Sequence, residues 1–212
     1  RNEEVELEET LIFPLMKSSS FKQPIIREGF KKYVIVTQKK ARQDTSYIEA
    51  LAPCTWEYLN ANKELFSRRK SSIYKGAPAF SMFGVGEYSY AKYKVGISGF
   101  YKTPLFSLLY NAADPARPIM LDDTTYFLSF EYYDDAYACM VLLNCASVQG
   151  FLRSISFRDA KRPYTKKVLQ RLDLRKCFAV VSLSELVATE ERLALPPYIT
   201  GNIYAAFKKN VG

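Results

Sequence analysis

Residues 134–145 read DDAYACMVLLNC, and this stretch decides the fold class. Apolar side chains recur at helical spacing through Ala136, Met140 and Leu143, which predicts a helix over 134–145. The periodicity of the chain changes just before it, at Glu131, because earlier segments favour short strands and later segments favour helices. We therefore predict an α+β fold, in which a mixed, twisted β-sheet region is followed by, and packed with, several helices.

Short strands are predicted within the first 130 residues. The run YVIVT at 33–37 is rich in β-branched residues and lies between lysine pairs, which is typical of a buried strand. Glycine and proline are dense between residues 76 and 99, which indicates turns between short strands. The other predicted strands are 11–15, 80–83, 93–97 and two or three more within 105–130.

Helix starts are marked by capping residues and by proline. Pro53 is tolerated in a first helical turn, and the helix that it opens has Trp56, Leu59 and Phe66 on roughly one face. A short helix before it is predicted, with residues 44–46 as its cap. Later helices are predicted after Ser147, over 164–172, over 184–193 and after Pro197.

The chain carries a positive charge that is unevenly distributed. It has 30 Lys and Arg, 22 Asp and Glu, and a formal net charge of +8. Five of the acids and one of the bases lie within residues 1–9, which leaves a net charge of +12 on the remainder. A positive field of this size attracts polyanions, and nucleic acid is the commonest of them. A basic surface that only maintains solubility is the alternative.

The pattern divides the chain into an acidic lead-in, residues 1–10, and one domain, residues 11–212. Since the chain opens on Arg1 rather than Met, we expect further sequence before it. No signal-peptide pattern is visible, and the longest nearly apolar run, 136–146, is far shorter than the ~20 residues that span a bilayer. The four cysteines form no CxxC pair, so we expect free thiols, a cytoplasmic location and no membrane contact.

A complete catalytic or metal centre is not predicted. The sequence has no histidine, which removes the commonest general base and metal ligand. The GVG at 84–86 lacks the third glycine of a dinucleotide loop and is interpreted as a turn. The LPPY at 195–198 has leucine where amino-group methyltransferases need a side-chain oxygen. The acid pairs 122–123 and 134–135 are predicted to cap turns and helices rather than to bind Mg²⁺.

A first candidate nucleic-acid surface lies between residues 158 and 176, which hold eight bases and two acids. A loop that leads into a helix offers backbone N–H groups, and these can hold phosphates together with flanking Lys and Arg. A solvated helix face is the alternative. The residues predicted to bind DNA in this segment are Arg158, Lys161, Arg162, Lys166 and Lys167.

A second candidate surface lies between residues 68 and 102, where aromatic residues interleave with bases. Such a surface can hold phosphates while its rings pack against sugars or unpaired bases. Alternating aromatic residues also build β cores, so some rings must face inward, and the bases are the stronger candidates. The residues predicted to bind DNA in this segment are Arg68, Arg69, Lys70, Lys75, Lys92, Lys94 and Lys102.

The order of several motifs resembles one protein family. The motifs are FPLMK at 13–17, YVIVTQ at 33–38, APCTWEYL at 52–59, RKSSIY at 69–74, FSMFGVGEY at 80–88, KVGISGF at 94–100, LLNCAS at 142–147 and DAKRPYT at 159–165. Together, over residues 11–176, they resemble the C-terminal specificity region of TaqI-like N6-adenine DNA methyltransferases and of the restriction–modification enzymes built on them. The resemblance implies the fold of a TaqI-like specificity domain.

The resemblance also implies a function and partners. In that family this region is the target-recognition domain, and an upstream catalytic domain binds S-adenosylmethionine and methylates adenine N6 on a base flipped out of the duplex. It therefore implies double-stranded DNA and the catalytic domain of the same protein as partners, with no cofactor in this chain. The parent protein is then a site-specific adenine methyltransferase, with or without a fused endonuclease.

Two alternatives to DNA target recognition are compatible with the residues alone. The aromatic excess also suits an RNA-binding or single-strand-binding module. A protein-interaction domain with an incidental basic face is the other alternative. No base-reading residue is assigned, because base-reading positions vary with the target sequence.

Overall fold

The computed structural model describes residues 3–157 and 159–211, and within these ranges seven strands form two sheets. The strands lie mainly in the first two thirds of the chain, as the pattern predicts. They are β1 (Ile12–Met16), β2 (Ile25–Ile26), β3 (Tyr33–Ile35), β4 (Tyr93–Ser98), β5 (Phe106–Leu109), β6 (Met120–Leu121) and β7 (Thr125–Phe130).

Both sheets are mixed. The three-stranded sheet has the order β3-β1-β6, with β1 antiparallel to β3 and parallel to β6. The four-stranded sheet has the order β2-β5-β4-β7, with β2 parallel to β5 and the other neighbours antiparallel. Val95 in β4 lies opposite Leu108 of β5 and Leu128 of β7. The predicted α+β class with mixed sheets is confirmed.

Nine α-helices occur in the described ranges, and six of them follow the last strand. The predicted order, with strands first and helices mostly later, is therefore confirmed. The helices are α1 (Ile48–Leu51), α2 (Pro53–Ala61), α3 (Lys63–Ser67), α4 (Tyr133–Asn144), α5 (Ala146–Ser154), α6 (Lys166–Leu169), α7 (Leu174–Val180), α8 (Leu183–Arg192) and α9 (Gly201–Val211).

Helix α4 is the centre of the main core. Every residue from Asp135 to Asn144 is buried, which explains why apolar residues occur on all sides of the helix. It packs against β4, β5, α5, α8 and α9. The Asn144 amide donates to the carbonyl of Phe106 (2.8 Å) and accepts from its N–H (3.1 Å), which attaches the end of α4 to β5. The predicted bounds of this helix are correct to one residue at each end.

A smaller core lies beneath α1, α2 and α3. Leu59 is buried, and the rings of Trp56 and Phe66 pack edge-on against Phe80 with centroids 5.4 and 5.1 Å away. The predicted shared face of these three residues is confirmed, although the helix is divided at Asn62. This core packs beside the three-stranded sheet, because Leu11 and Ile35 belong to it.

The end of the acidic lead-in is attached to this smaller core through Glu8. Its carboxylate accepts hydrogen bonds from the N–H groups of Cys54 (2.7 Å) and Thr55 (2.9 Å) and from the Thr55 hydroxyl (2.7 Å). Burial acts to raise the pKa of Glu8, but these bonds outweigh it and lower the pKa to about 2. Residues 3–6 are exposed. The lead-in is thus solvated at its start and caps α2 at its end.

Residues 80–83, which the pattern predicts as a strand, form turns instead, so this prediction is wrong. Side chains supply the hydrogen bonds that a neighbouring strand would have made. The Thr37 hydroxyl donates to the carbonyl of Phe80 (2.7 Å). The Gln38 amide accepts from the N–H of Met82 (2.9 Å) and donates to the carbonyl of Val85 (3.1 Å). Buried backbone groups are satisfied in this way without strand pairing.

Other elements differ from the sequence prediction in their bounds. Strand β3 is shorter than the predicted 33–37, and its first residue, Tyr33, is 57% exposed because β3 lies at the edge of its sheet. In place of one helix over 164–172, the short α6 is followed by α7, which the pattern does not predict. The last helix begins at Gly201 rather than at Pro197.

The described cysteines are free thiols, as predicted. Cys139, Cys145 and Cys177 are buried, and Cys54 is exposed. Burial raises the pKa of Cys145 to about 11, so the thiol stays protonated and packs as a small apolar group.

Among the described helices, none alone has the length and the apolar composition that crossing a membrane requires. The bent pair α4–α5 reaches the necessary length and composition only when its two helices are taken together, across a bend of 59°.

Candidate nucleic-acid interface

The chain just after β4 brings parts of the two predicted basic segments together. The guanidinium of Arg162 lies over the ring of Phe100, with its carbon 4.6 Å from the ring centroid. Tyr164 is buried, and its hydroxyl donates to the carbonyl of Lys102 (3.0 Å). Residues 100–102 of one segment therefore lie against residues 162–164 of the other.

Gly99, just after β4, packs closely against residues 124–126 beside this junction. A Cβ added at this position would lie 3.1 Å from the carbonyl oxygen of Thr124, 3.1 Å from the ring of Tyr126 and 3.6 Å from the carbonyl oxygen of Tyr164. The N–H of Gly99 also donates to the Thr124 carbonyl (3.0 Å). A side chain at this position would crowd Thr124 and Tyr126, whereas its distance to Tyr164 would be an ordinary contact, so glycine here serves the packing of β4 against the start of β7.

The outward side of this junction is basic. Lys161, Lys166 and Lys167 are exposed, and Arg162 is half-buried against Phe100. Within residues 3–157 and 159–211, no base of the stretch 161–176 forms an ion pair with a carboxylate. The charges of these bases are therefore not held in direct ion pairs and can act on a polyanion. We refer to residues 100–102 and 161–167 as the junction face.

Two further predicted residues belong to this part of the chain. Lys102 is exposed and lies within the junction face. Arg158 falls outside the described residues. The start of α6 is set by Thr165, whose hydroxyl accepts from the N–H of Val168 (3.4 Å), and Lys166 and Lys167 form the first turn after it. The basic side chains therefore lie on the loop before α6 and on its first turn, and the buried Tyr164 attaches that loop to the fold.

Arg69, in the other segment, is committed to the fold. Its guanidinium donates to the carbonyls of Phe66 (3.0 Å), Ala79 (3.0 Å) and Ser81 (2.5 Å). It also stacks over the ring of Tyr74, 3.8 Å from the centroid. Arg69 therefore connects the end of α3 to the turns at 79–81, which leaves few of its donors for a ligand.

The neighbouring bases of this segment are more exposed and lie apart from the contacts that build the junction face. Arg68 pairs with Glu64 at 3.3 Å, where both side chains are solvent-exposed. Lys70 and Lys75 are exposed on the turn after α3. Lys92 is exposed beside the ring of Tyr93, 5.2 Å from its centroid.

Lys94 lies between the two sheets and is only 1% exposed. Its ammonium donates to the carbonyl of Ala91 (2.8 Å). Burial lowers the pKa of Lys94 to about 7. In this conformation Lys94 does not share the solvent-facing surface of Lys161 and Lys166.

The two motifs that the sequence interpretation set aside have structural roles. Gly84 has a φ of +72°, as a turn glycine does, and its carbonyl accepts from the Tyr88 hydroxyl (2.7 Å). In the LPPY motif, the ring of Tyr198 packs 4.7 Å from that of Tyr137, and its hydroxyl donates to Asp134 (2.5 Å). Both arrangements stabilise the fold and present no reactive group.

Sequence reasoning missed two residues near these surfaces. Phe157 is 82% exposed, more than any other large apolar side chain described. Its place beside polar residues in a basic loop was a signal that could have been used. Lys17 lies on the wall of the cavity that contains Lys94. No local pattern indicates this, because the pairing of β1 with β6 brings Lys17 there.

Comparison with known proteins gives one informative relative. No protein-family model matches the chain. The chain is 41% identical over 177 residues to the Type II methyltransferase M.NspV of Nostoc sp.. The match covers 84% of this chain and 36% of that protein, so the chain spans about a third of the length of the curated relative it matches. The chain is therefore related to one part of a Type II methyltransferase.

Proposed function

We propose that this chain is the sequence-specific DNA-recognition domain of an N6-adenine DNA methyltransferase in a restriction–modification system. The observation that carries the proposal is the junction face, where Lys161, Lys166 and Lys167 are exposed and form no ion pair with a carboxylate of the described residues. The similarity to part of a Type II methyltransferase supports the same proposal. The resemblance of motifs over residues 11–176 to TaqI-like specificity regions supports the choice of adenine N6.

The junction face suits contact with the DNA backbone. Lys161, Lys166 and Lys167 neutralise phosphates, and the counterions that this releases favour binding at low salt. Stacking on Phe100 restricts Arg162 before any ligand arrives, so less side-chain entropy is lost when its planar fork meets a phosphate. Such contacts set the register of the protein on the duplex, and base edges in the groove then specify the sequence.

Methyl transfer belongs, in this proposal, to a catalytic domain elsewhere in the same protein. That domain binds S-adenosylmethionine and receives the flipped adenine. The present chain forms the opposite wall of the DNA cleft and positions the duplex. The absence of histidine from the sequence agrees with a role in recognition rather than in chemistry.

Salt dependence of duplex binding tests the proposal. Fluorescence anisotropy with a labelled duplex should show an affinity that falls about 10- to 1,000-fold between ~50 and ~200 mM salt, because several phosphates are neutralised. The same titration is run on the protein that includes the upstream region, where the second wall of the cleft strengthens binding. Equal affinity at both salt concentrations in both forms would exclude DNA recognition by this face.

A single-stranded nucleic acid is the second candidate ligand. Phe83, Tyr88 and Phe157 are 58%, 52% and 82% exposed, and such rings can stack on unpaired bases. Competition between a duplex and its separated strands distinguishes the two ligands. Preference for the separated strands would favour this second candidate over duplex recognition.

A further inference from the structure

A cavity of about 240 Å³, partly open to solvent, lies between the two sheets beside Lys94. Its walls are mainly apolar and include Val34 of β3, Met120 of β6 and Phe127 of β7. The volume is roughly eight times that of a water molecule in the liquid, and lies just below the ~300–1,000 Å³ of sites for drug-sized ligands. A single small ring system is therefore the size of ligand that this cavity suits.

Lys94 is a buried base in the wall of this cavity. Within the described residues its hydrogen-bond acceptor is the carbonyl of Ala91, and it forms no ion pair there. An amine has two N–H donors when neutral and three when protonated, so in either form Lys94 keeps at least one donor for a ligand acceptor. The ring of Phe127 lies 5.9 Å from the nitrogen and adds an aromatic surface beside it.

Charged residues on the more solvent-exposed part of the wall restrict which ligands the cavity can bind. Asp122 and Asp123 contribute two carboxylates there, and Lys17 contributes one base. One Asp122 oxygen is already occupied by the N–H (3.1 Å) and hydroxyl (2.5 Å) of Thr124, whereas Asp123 is exposed. Counted together with Lys94, the wall holds two bases and two acids, so its formal charges balance. A neutral ligand suits such a wall when it offers an acceptor to Lys94 and a donor to the carboxylates.

We propose that this cavity binds one neutral nucleobase that carries an exocyclic amino group, with Lys94 donating to a ring acceptor and Asp123 accepting from the amino group. Adenine and cytosine have both features, whereas thymine has acceptors but no amino group. The nucleobase is either free or an unpaired base of bound DNA. Only the second source rests on the proposed function, because a free base enters without any contact at the junction face.

Two probes distinguish the sources. Free 2-aminopurine, a fluorescent base with an amino group, is titrated with the protein, and adenine, cytosine and thymine then compete with it. A duplex with 2-aminopurine opposite an abasic site presents the same base from DNA. We expect adenine and cytosine to compete at least about 10-fold better than thymine, because thymine has a carbonyl oxygen where cytosine has its amino group and so directs an acceptor at Asp123.

Three variants assign the site. Lys94→Met should lower the affinity for 2-aminopurine by about 10-fold or more, and Asp123→Asn by a smaller factor of about 3 to 10, since each variant removes one polar interaction with the base. Lys22→Met, an exposed lysine outside the cavity wall, is the matched control and should change nothing. Circular dichroism establishes that each variant is folded, and Asp123→Asn keeps the test valid if Lys94→Met is not.

Each result has one meaning. Free-base binding that is abolished in Lys94→Met supports the site, even if duplex binding is absent and the proposed function fails. Binding of only the DNA-borne base, abolished in the same variant, supports the site with DNA as its source. No binding of either probe, or binding that both cavity variants leave unchanged, overturns the inference even if intact duplex binds at the junction face.

Discussion

In the segment 68–94, two of the six bases, Arg69 and Lys94, serve the interior of the protein, whereas in the segment 161–176 no base pairs with a carboxylate of the described residues. Arg69 donates to three carbonyls, and Lys94 lies between two sheets. Lys161 and Lys166 are exposed, and no ion pair involves them in the described ranges. Both segments are basic in sequence, so the count of bases alone does not separate them.

The difference between the segments comes from the backbone around them. The turns at 79–81 present carbonyl oxygens that strand pairing does not use, and an arginine nearby satisfies them. At the junction face, the inward position is taken by the buried Tyr164, so the bases on either side of it project to solvent. Which bases remain exposed therefore depends on which nearby backbone carbonyls need a hydrogen-bond donor. A count of Lys and Arg in the sequence overstates the surface that is available to bind a polyanion.

The largest effect is expected from charge reversal in the outward segment. Lys161→Glu combined with Lys166→Glu and Lys167→Glu should weaken duplex binding by about 100-fold or more, because attraction to phosphates is replaced by repulsion. The slope of log affinity against log salt should also become shallower, by about 0.9 for each phosphate that the protein no longer neutralises. Anisotropy titrations across a salt series measure both quantities.

The matched control for that experiment reverses Lys70, Lys75 and Lys92 to Glu, three exposed bases of the other segment. We expect the affinity to fall by no more than about fivefold, the effect of long-range charge alone. Equal reductions for the two sets of reversals would contradict the comparison and would restore the segment 68–94 as a binding surface.

A second effect is expected in stability rather than in binding. Arg69→Met should lower the free energy of unfolding by about 2–3 kcal/mol, because it leaves carbonyl acceptors without a donor and removes the stacking on Tyr74. Arg68→Met, which breaks only an exposed pair, should cost about 0–0.5 kcal/mol. Urea denaturation measures both values. A small cost for Arg69→Met, together with a large reduction in DNA affinity, would show that Arg69 serves a ligand.

Burial of Lys94 predicts a pH dependence of stability. Its pKa is about 7 in the fold and near 10.5 in the unfolded chain. Between these values the unfolded chain holds a proton that the folded protein has released, so stability rises with pH. From pH 7 to 9 this contributes about 2 kcal/mol. The Lys94→Met variant should lack that increase, and an identical pH profile for the two proteins would contradict the burial of the amine.

The smallest effect concerns Glu8, whose pKa of about 2 lies below the ordinary value of 4.5. A lowered pKa gives stability that is present above pH 4.5 and is lost as the pH falls toward 2. Glu8→Gln should therefore be less stable than the wild type at neutral pH, and the difference should shrink in acid. Glu6→Gln, in the exposed part of the lead-in, is the control and should match the wild type throughout. Thermal unfolding between pH 2 and 7 measures the effect.

Elements with a strong local signal could be predicted from the sequence. Helix α4 has a continuous apolar run of eight residues, 136–143, and Pro53 marks the first turn of α2, so the position of α4 and the start of α2 are predicted closely. The turns at 80–83 could not be predicted, because their backbone is satisfied by Thr37 and Gln38, more than 40 residues away. Their apolar composition is also compatible with a strand, and only the tertiary contacts decide between the two.

The sequence shows which residues of the candidate segments are basic, but it does not show which of them reach the surface. In β4, Lys94 alternates with Tyr93 and Val95, which predicts a solvent-facing position for the polar residues of the strand. That face is covered instead: Phe21 packs against Gly96, and the three-stranded sheet lies over Lys94. One sheet covers the other through contacts between residues that are far apart in the sequence, and the alternation of residues within a strand does not predict such contacts.

The separation of inward-facing and outward-facing side chains around Tyr164 has a consequence for how this protein evolves. Pro163 and Tyr164 face inward, whereas Lys161, Lys166 and Lys167, a few residues away, face solvent. Substitutions at the outward positions leave the buried anchor untouched and so cost the fold little. A lineage can therefore try new outward side chains one at a time while each intermediate remains folded, and new ligand preferences become accessible without passing through unstable proteins.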